Sequence, residues 1–223
     1  TSLAMLATAA QQLGNELPSM RLANWSHLLK PAAFDLYEHK VLEHADIVMV
    51  SLLGGASYWD YGFVRLQAWQ KAKPARTLIL VPGDDAPDPQ LTLASSCSPE
   101  SCGLIWQYLR QGGVGNGINL LRYLHQECHP SLATQTPASS PKTRWKPPAQ
   151  LPQALIYQPG IAQASLTDWQ KDTLTKGLKD APVVALLFYR SHLQSGNTRM
   201  FDGLMASLIT QGMNPIALAV TSL

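Results

Sequence analysis

The chain has 223 residues, enough for one large domain or two small ones with a buried core. Hydrophobic residues make up 46%, which excludes disorder of the whole chain, yet only 14% are charged against roughly 25% in an ordinary soluble domain. The net charge of +2, with no run of like charge, excludes the basic stripe of a nucleic-acid binder, and so little charge implies that part of the surface is covered.

Residues 2–13 predict a helix, with apolar Leu3, Leu6, Ala10 and Leu13 on one face. Residues 20–25 read as a strand, and residues 34–45 return to helical spacing through Phe34, Tyr37, Val41 and Leu42. Residues 46–52 are almost wholly apolar, the pattern of a parallel strand buried on both faces. Gly54-Gly55 then breaks the chain before a helix predicted over 57–71, with Ser57 as its N-cap. Residues 77–82 form a second buried strand ending at Pro82-Gly83. Two helices, 99–110 and 117–126, lie on either side of the Gly112-Gly113 break. Residues 129–153 hold six prolines and three basic residues with no acid, which marks a linker or long surface loop. The alternation then resumes with a strand at 154–157, a helix at 167–176, a strand at 183–189, a helix at 199–211 and a strand at 215–220.

Strand and helix alternating in this way predict an α/β fold of two lobes. Each lobe is expected to hold a mainly parallel sheet flanked by helices (flavodoxin/Rossmann-like), the two joined by the Pro-rich linker. The first lobe spans 1–128 and lacks its opening strand, the linker spans 129–153, and a truncated second lobe starts at 154 and runs to 223. A chain that opens inside a helix and stops just after a strand is expected of a segment of a longer polypeptide. The longest apolar stretches, 47–50 and 183–189, are strand-sized and fall far short of the roughly 20 residues that cross a bilayer, so no membrane span is expected. Three cysteines, an odd number, argue against a disulfide framework and fit a reducing cytoplasm.

Chemistry concentrates at two strand ends. Leu53 to Gly62 follows a buried strand and opens a helix, the position where open α/β sheets bind ligands and where free backbone N–H groups face an anion. Tyr58, Trp59 and Tyr61 offer either a flat apolar wall for a planar macrocycle or packing between lobes. At the end of strand 183–189, Arg190 is placed to take a carboxylate bidentately with Asn197 orienting it, or to cap a helix at a lobe interface. Other patterns carry less. The run Gly112 to Gly117 follows a helix, and Ile118 stands where G-x-G-x-x-G needs its last glycine; no P-loop signature occurs. His125 and His129 have helical ligand spacing, but Pro130 follows and no acid completes the motif. Cys97 and Cys102 have no second pair for a zinc site, and Asp84, Asp85 and Asp88 read as a solvated loop. No nucleophile motif such as G-x-S-x-G is present.

The blocks LLGGASYWDYG, PGDD and RQGGVGN, and above all LLFYRSHLQSGNTRMFDGLMASLITQGMNPIALAVTSL, resemble the N-terminal part of the cobaltochelatase large subunit in the superfamily that also contains the magnesium chelatase H subunit. The resemblance runs through nearly the whole chain in order, except for 129–153. It implies one segment of a very large tetrapyrrole-binding subunit, cytoplasmic and part of an ATP-dependent ligase complex. The reaction implied is insertion of Co2+ into hydrogenobyrinic acid a,c-diamide in cobalamin biosynthesis; the magnesium branch, with Mg2+ and protoporphyrin IX, is the alternative. Implied partners are the remainder of the large subunit, AAA+ ATPase subunits and the tetrapyrrole or corrinoid substrate. The complex would use ATP, Mg2+ and Co2+, while this segment binds no cofactor or metal itself and supplies no catalytic residue. Gly54, Gly55, Tyr58, Trp59 and Tyr61, with Tyr189, Arg190, Gly196 and Asn197, are the implied tetrapyrrole or inter-domain contacts. A non-catalytic structural module is the other reading.

Overall fold

The computed structural model describes residues 2–128 and 143–221, and the chain divides into two compact units. One comprises Leu6–Gln111 with Gly115–Ala149; the other comprises Gln150–Leu223 with Thr1–Met5 and Gly112–Val114.

The larger unit follows α1 (Ser2–Leu13) with α2 (Pro31–Lys40), β1 (Ile47–Leu52), α3 (Asp60–Ala72), β2 (Thr77–Pro82), α4 (Pro89–Ala94), α5 (Pro99–Gln111) and α6 (Val114–Tyr123). The helix starts are written in the sequence. Asp88 caps α4, its Oδ1 accepting from the amides of Gln90 and Leu91 at 2.9 and 3.1 Å, with Pro89 at the first helical position. Strands β1 and β2 pair in parallel, from Ile47 opposite Thr77 to Leu52 opposite Pro82. All six residues of β2 are buried, although only one neighbouring strand pairs with it. Its other edge is closed by hydroxyls: Ser96 Oγ accepts from the Leu78 amide and Ser95 Oγ from the Leu80 amide, both at 2.8 Å, and the Ser96 amide donates to Leu78 O at 2.8 Å. Two serines thus do the work of a third strand, so no buried amide is left unpaired and no sticky edge is exposed.

The core of this unit joins Phe34, Leu42, Leu52, Trp59, Leu66, Trp69, Leu78, Leu80 and Leu91. Each such side chain contributes about 1.5–3 kcal/mol by leaving water. Arg76 is also buried: its guanidinium stacks on Trp69 and donates to the carbonyls of Trp69 (2.9 Å) and Glu43 (2.8 Å).

The second unit holds β3 (Ala154–Gln158), β4 (Ile161–Ala164), α7 (Leu166–Thr175), β5 (Val183–Tyr189), α8 (Ser191–Ser195), α9 (Arg199–Thr210) and β6 (Asn214–Val220). The sheet order is β4–β3–β6–β5. A capping box starts α7, with Ser165 Oγ accepting from the Asp168 amide and the Asp168 carboxylate accepting from the Ser165 amide. That arrangement holds the Asp168 carboxyl below its usual range. Leu155, Tyr157, Phe188, Phe201, Met205, Ala217 and Ala219 form the core between one face of the sheet and α9.

Several expectations change. Residues 20–25 are not a strand; they run extended into a 3₁₀ turn at Trp25–Leu28. Ser57 is not a helix cap, because a 3₁₀ turn at Ala56–Trp59 intervenes before α3. Helix α6 begins at Val114, so Gly115 and Gly117 lie inside it. Strand β1 is only half-buried, and β5, the edge strand, is mostly exposed. The second sheet is mixed: β5 and β6 are parallel, but β3 pairs antiparallel with both β4 and β6. A turn at Pro159-Gly160 adds β4, an unexpected strand, between the strand at 154–157 and the helix expected at 167–176, which is present as α7.

The predicted linker also divides. Residues 129–142, and with them His129, lie outside the described residues. Residues 143–149 dock on α5 and α6. Trp145 meets the Tyr123 ring edge-on at 4.9 Å and donates to Glu127. The Asn116 amide brackets Ala149 with bonds of 2.9 and 2.8 Å, and Tyr108 donates to Lys146 O.

Candidate functional site

The first strand end is built on Gly54 and Gly55, whose φ angles of 86° and 75° lie in the left-handed region and turn the chain from β1 towards α3. A side chain on Gly55 would also meet the Asp88 carboxylate at 3.0 Å. The three aromatics have different fates. Tyr58 is 65% exposed and meets Trp25 edge-on at 5.7 Å. Trp59 is 4% exposed; it packs on Phe34 and Trp25 and donates to Leu28 O at 3.2 Å. Tyr61 donates to Asp35 Oδ1 at 2.6 Å, and this bond raises its phenol above the ordinary value. Two aromatics of the three, Tyr58 and the less exposed Tyr61, therefore face outward with Leu53, while Trp59 belongs to the core.

Two clefts of about 620 and 580 Å³ lie in this unit. The larger is lined by residues such as Phe63, Gln67, Gln90 and Leu93, the other by residues such as Ala7, Pro18 and Leu22. None of the five residues of the turn lines either. Asp84, Asp85 and Asp88 have separate partners: Asp84 bonds the Ala86 amide, Asp85 pairs with Arg110, and Asp88 caps α4. Among the described residues no group of three His, Cys, Asp or Glu side chains is arranged to hold a metal ion, and no helix is long and apolar enough to cross a membrane.

The second strand end continues β5. Tyr189 is half-exposed. The Arg190 amide donates to Val220 O at 2.8 Å, extending the β5–β6 pairing. Its guanidinium turns back: Nη1 donates to the carbonyls of Leu151 (2.7 Å) and Pro152 (3.0 Å), tying the approach to β3 onto the end of β5. Arg190 is thus committed to backbone through Nη1. Gly196 closes α8 with φ 71°, and the Asn197 amide returns to His192 O at 2.9 Å. Asn197 therefore caps a helix through its backbone and leaves its side chain exposed.

Sequence reasoning missed Tyr157. This buried phenol donates to the Asp202 carboxylate, which also accepts from Thr198 at 3.3 Å. Burial, reinforced by that bond, pushes the Tyr157 pKa up to about 12. It also missed Trp25, whose contacts with Tyr58 and Trp59 come from residues more than 30 positions away.

One face of β5 is uncovered. Alternation puts Val183, Ala185, Leu187 and Tyr189 on one side and Phe188 in the core. Val183 and Leu187 are 58% and 54% exposed, and the register places half-buried Ile216, Leu218 and Val220 of β6 beside this row. The result is a continuous apolar strip on an edge strand, with no charged side chain among these seven residues.

Comparison with known proteins places these features. Residues 106–223 match a family model described as CobN/Magnesium Chelatase. The chain is 40% identical over 221 residues to the aerobic cobaltochelatase subunit CobN of Pseudomonas aeruginosa, covering 99% of this chain and 16% of that protein. It is 31% identical over 229 residues to the aerobic cobaltochelatase subunit CobN of a Sinorhizobium species, covering 100% and 17%. In fold it is similar to the solved catalytic subunit of cobaltochelatase from Mycobacterium tuberculosis, with a TM-score of 0.68 and 24% identity, covering 100% of this chain and 16% of that one. The chain therefore spans about a sixth of the length of the relatives it matches. With the family model spanning more than half its residues, the chain belongs to the CobN/magnesium chelatase family.

Proposed function

We propose that this chain serves as a non-catalytic interaction module within the tetrapyrrole-binding large subunit of an ATP-dependent cobaltochelatase. The identity of 40% along nearly its whole length to a cobalt-branch protein favours cobalt over the magnesium branch. In this reading the parent subunit inserts Co2+, as substrate, into hydrogenobyrinic acid a,c-diamide for cobalamin biosynthesis. AAA+ partner subunits hydrolyse ATP to drive the insertion. Strands β5 and β6, parallel and joined through α9, are the beginning of a flavodoxin/Rossmann-like sheet that further chain extends.

The observation that carries the module reading is the apolar strip of β5. A strand exposing Val183, Leu187 and Tyr189 at a sheet edge presents the kind of apolar surface that a partner covers. The strand-end turns support the same role, since Trp59 is core and Arg190 holds backbone carbonyls. Tyr58, Leu53 and, to a lesser degree, Tyr61 are residues of the first turn with surface to offer a partner or a ligand.

The test is Co2+ insertion by the large subunit reconstituted with its ATPase partners. Leu187→Glu is expected to lower the yield of folded subunit and kcat together, leaving the KM for the tetrapyrrole within twofold. A KM raised tenfold or more at unchanged stability would make this face a substrate site and end the module reading.

A further inference from the structure

Helix α5 begins with Ser98 as its cap: Ser98 Oγ accepts from the Ser101 amide at 3.2 Å, and the Cys102 amide donates to Ser98 O at 3.0 Å. Pro99 then occupies the first helical position, which puts Cys97 just before the cap and Cys102 at the fourth helical residue. These are the two positions that a hydrophobic staple brings into contact at a helix N-terminus. Here both are cysteines, and their sulfurs stand 3.1 Å apart, about 1 Å beyond the ~2.05 Å of a covalent S–S bond. Cys97 is partly exposed and Cys102 is buried. The hydrogen bond between the two sulfurs lowers the Cys102 pKa and raises that of Cys97. A helix N-terminus favours a thiolate in the same sense.

We propose that Cys97 and Cys102 form a reversible disulfide that closes this staple covalently. The oxidant is a low-molecular-weight disulfide, RSSR. Partly exposed Cys97, after losing its proton to water, attacks one sulfur of RSSR; a Cys97–SR bond forms and RS⁻ leaves. The Cys102 thiolate, already in contact, attacks the Cys97 sulfur, forming the Cys97–Cys102 bond and expelling the second RS⁻. The protein loses two protons and two electrons, and RSSR becomes two RSH. Reduction by a dithiol reverses both steps.

The bond has a structural consequence. Ser95 and Ser96, the residues that close the edge of β2, directly precede Cys97 and are held there by hydrogen bonds. Ser101, between the cap and Cys102, accepts the Tyr123 hydroxyl at 2.9 Å. Oxidation would therefore pin the strap over β2 to the first turn of α5. Cys128, the remaining thiol, is pushed up to about 12, chiefly by burial.

The test uses the full chain, reduced and then equilibrated with oxidised and reduced glutathione at graded ratios. After alkylation of free thiols, the protein is cleaved at Arg and Glu. Cleavage after Glu100 separates the two cysteines, so the disulfide is read as peptides 77–100 and 101–110 joined, and released by reduction. The linkage is expected to appear as the glutathione ratio becomes oxidising, to survive Cys128→Ser, and to raise the thermal midpoint in a way that reductant reverses. Full alkylation of both cysteines at the most oxidising ratio would overturn the proposal, as would pairing of either one with Cys128 in place of the other.

Discussion

Gly62 lies directly beneath the indole of Trp59. A Cβ built on Gly62 would sit 2.1 Å from Trp59 Cε2, so the first turn of α3 has room for the ring only because the glycine has no side chain. Gly62→Ala is therefore expected to destabilise the unit by about 2 kcal/mol through overpacking. Tyr58→Ala, four residues earlier and largely exposed, should change stability by less than about 0.5 kcal/mol. Urea unfolding of the two variants checks the contrast, and equal losses would mean that Trp59 does not anchor this turn.

Ser95 and Ser96 accept from two amides of a strand whose six residues are all buried. Replacing either by Ala leaves one buried N–H without its partner, at an expected cost of about 1–3 kcal/mol each. The double variant should also associate through the opened edge of β2, which sedimentation or light scattering would detect.

Arg190 is expected to act through the chain and not through a ligand. Arg190→Ala removes the donor to Leu151 O and Pro152 O, and should cost about 2 kcal/mol while exposing the N-terminal end of β3 to faster amide exchange. A variant with wild-type stability but weakened corrinoid quenching of tryptophan fluorescence would reverse that assignment.

Tyr157 sets an alkaline limit on the second unit. Its pKa is raised from 10.0 to about 12, so above pH 10 the folded state holds a proton that the unfolded state has released. The contribution is complete below pH 10 and is lost as pH rises towards 12. Tyrosinate absorbance titration of the wild type should contain a late step, shared with Tyr108, whose amplitude Tyr157→Phe lowers by about one tyrosine. A step for Tyr157 at the ordinary value would contradict the buried bond to Asp202.

Much of the secondary structure was legible because burial imposes patterns. Residues 77–82 and 183–189 read as strands from their unbroken apolar runs, and α5 and α9 from helical periodicity. The same apolar run hid the difference between them: β2 is wholly buried, whereas β5 has one face bare. What covers a face is a tertiary fact. Residues 20–25 failed for a related reason: among the described residues no strand pairs with them. The Pro-rich stretch gave its composition correctly and its role only in part. Proline and serine mark irregular backbone, while the docking of Trp145 on Tyr123 and of Ala149 on Asn116 depends on α6.

The candidate site was legible as places and not as contacts. The Gly54-Gly55 turn stands at a strand end, as the sequence implied, whereas Gly196 closes α8; exposure separates Tyr58 from Trp59, and no local pattern encodes that difference. Arg190 looked available because its partners, Leu151 and Pro152, lie 39 and 38 residues away. The low charge now has a location: it is explained in part by the uncharged strip on β5 and β6.

Hydrogen–deuterium exchange of β5, compared between the isolated 223-residue chain and the full-length large subunit, tests the interaction-module reading most directly. The amides of Val183–Tyr189 that point away from β6 should exchange freely in the isolated chain and be slowed about 100-fold in the large subunit, where the apolar strip is covered. Equal exchange in the two proteins would show that nothing packs on this face and would contradict the account.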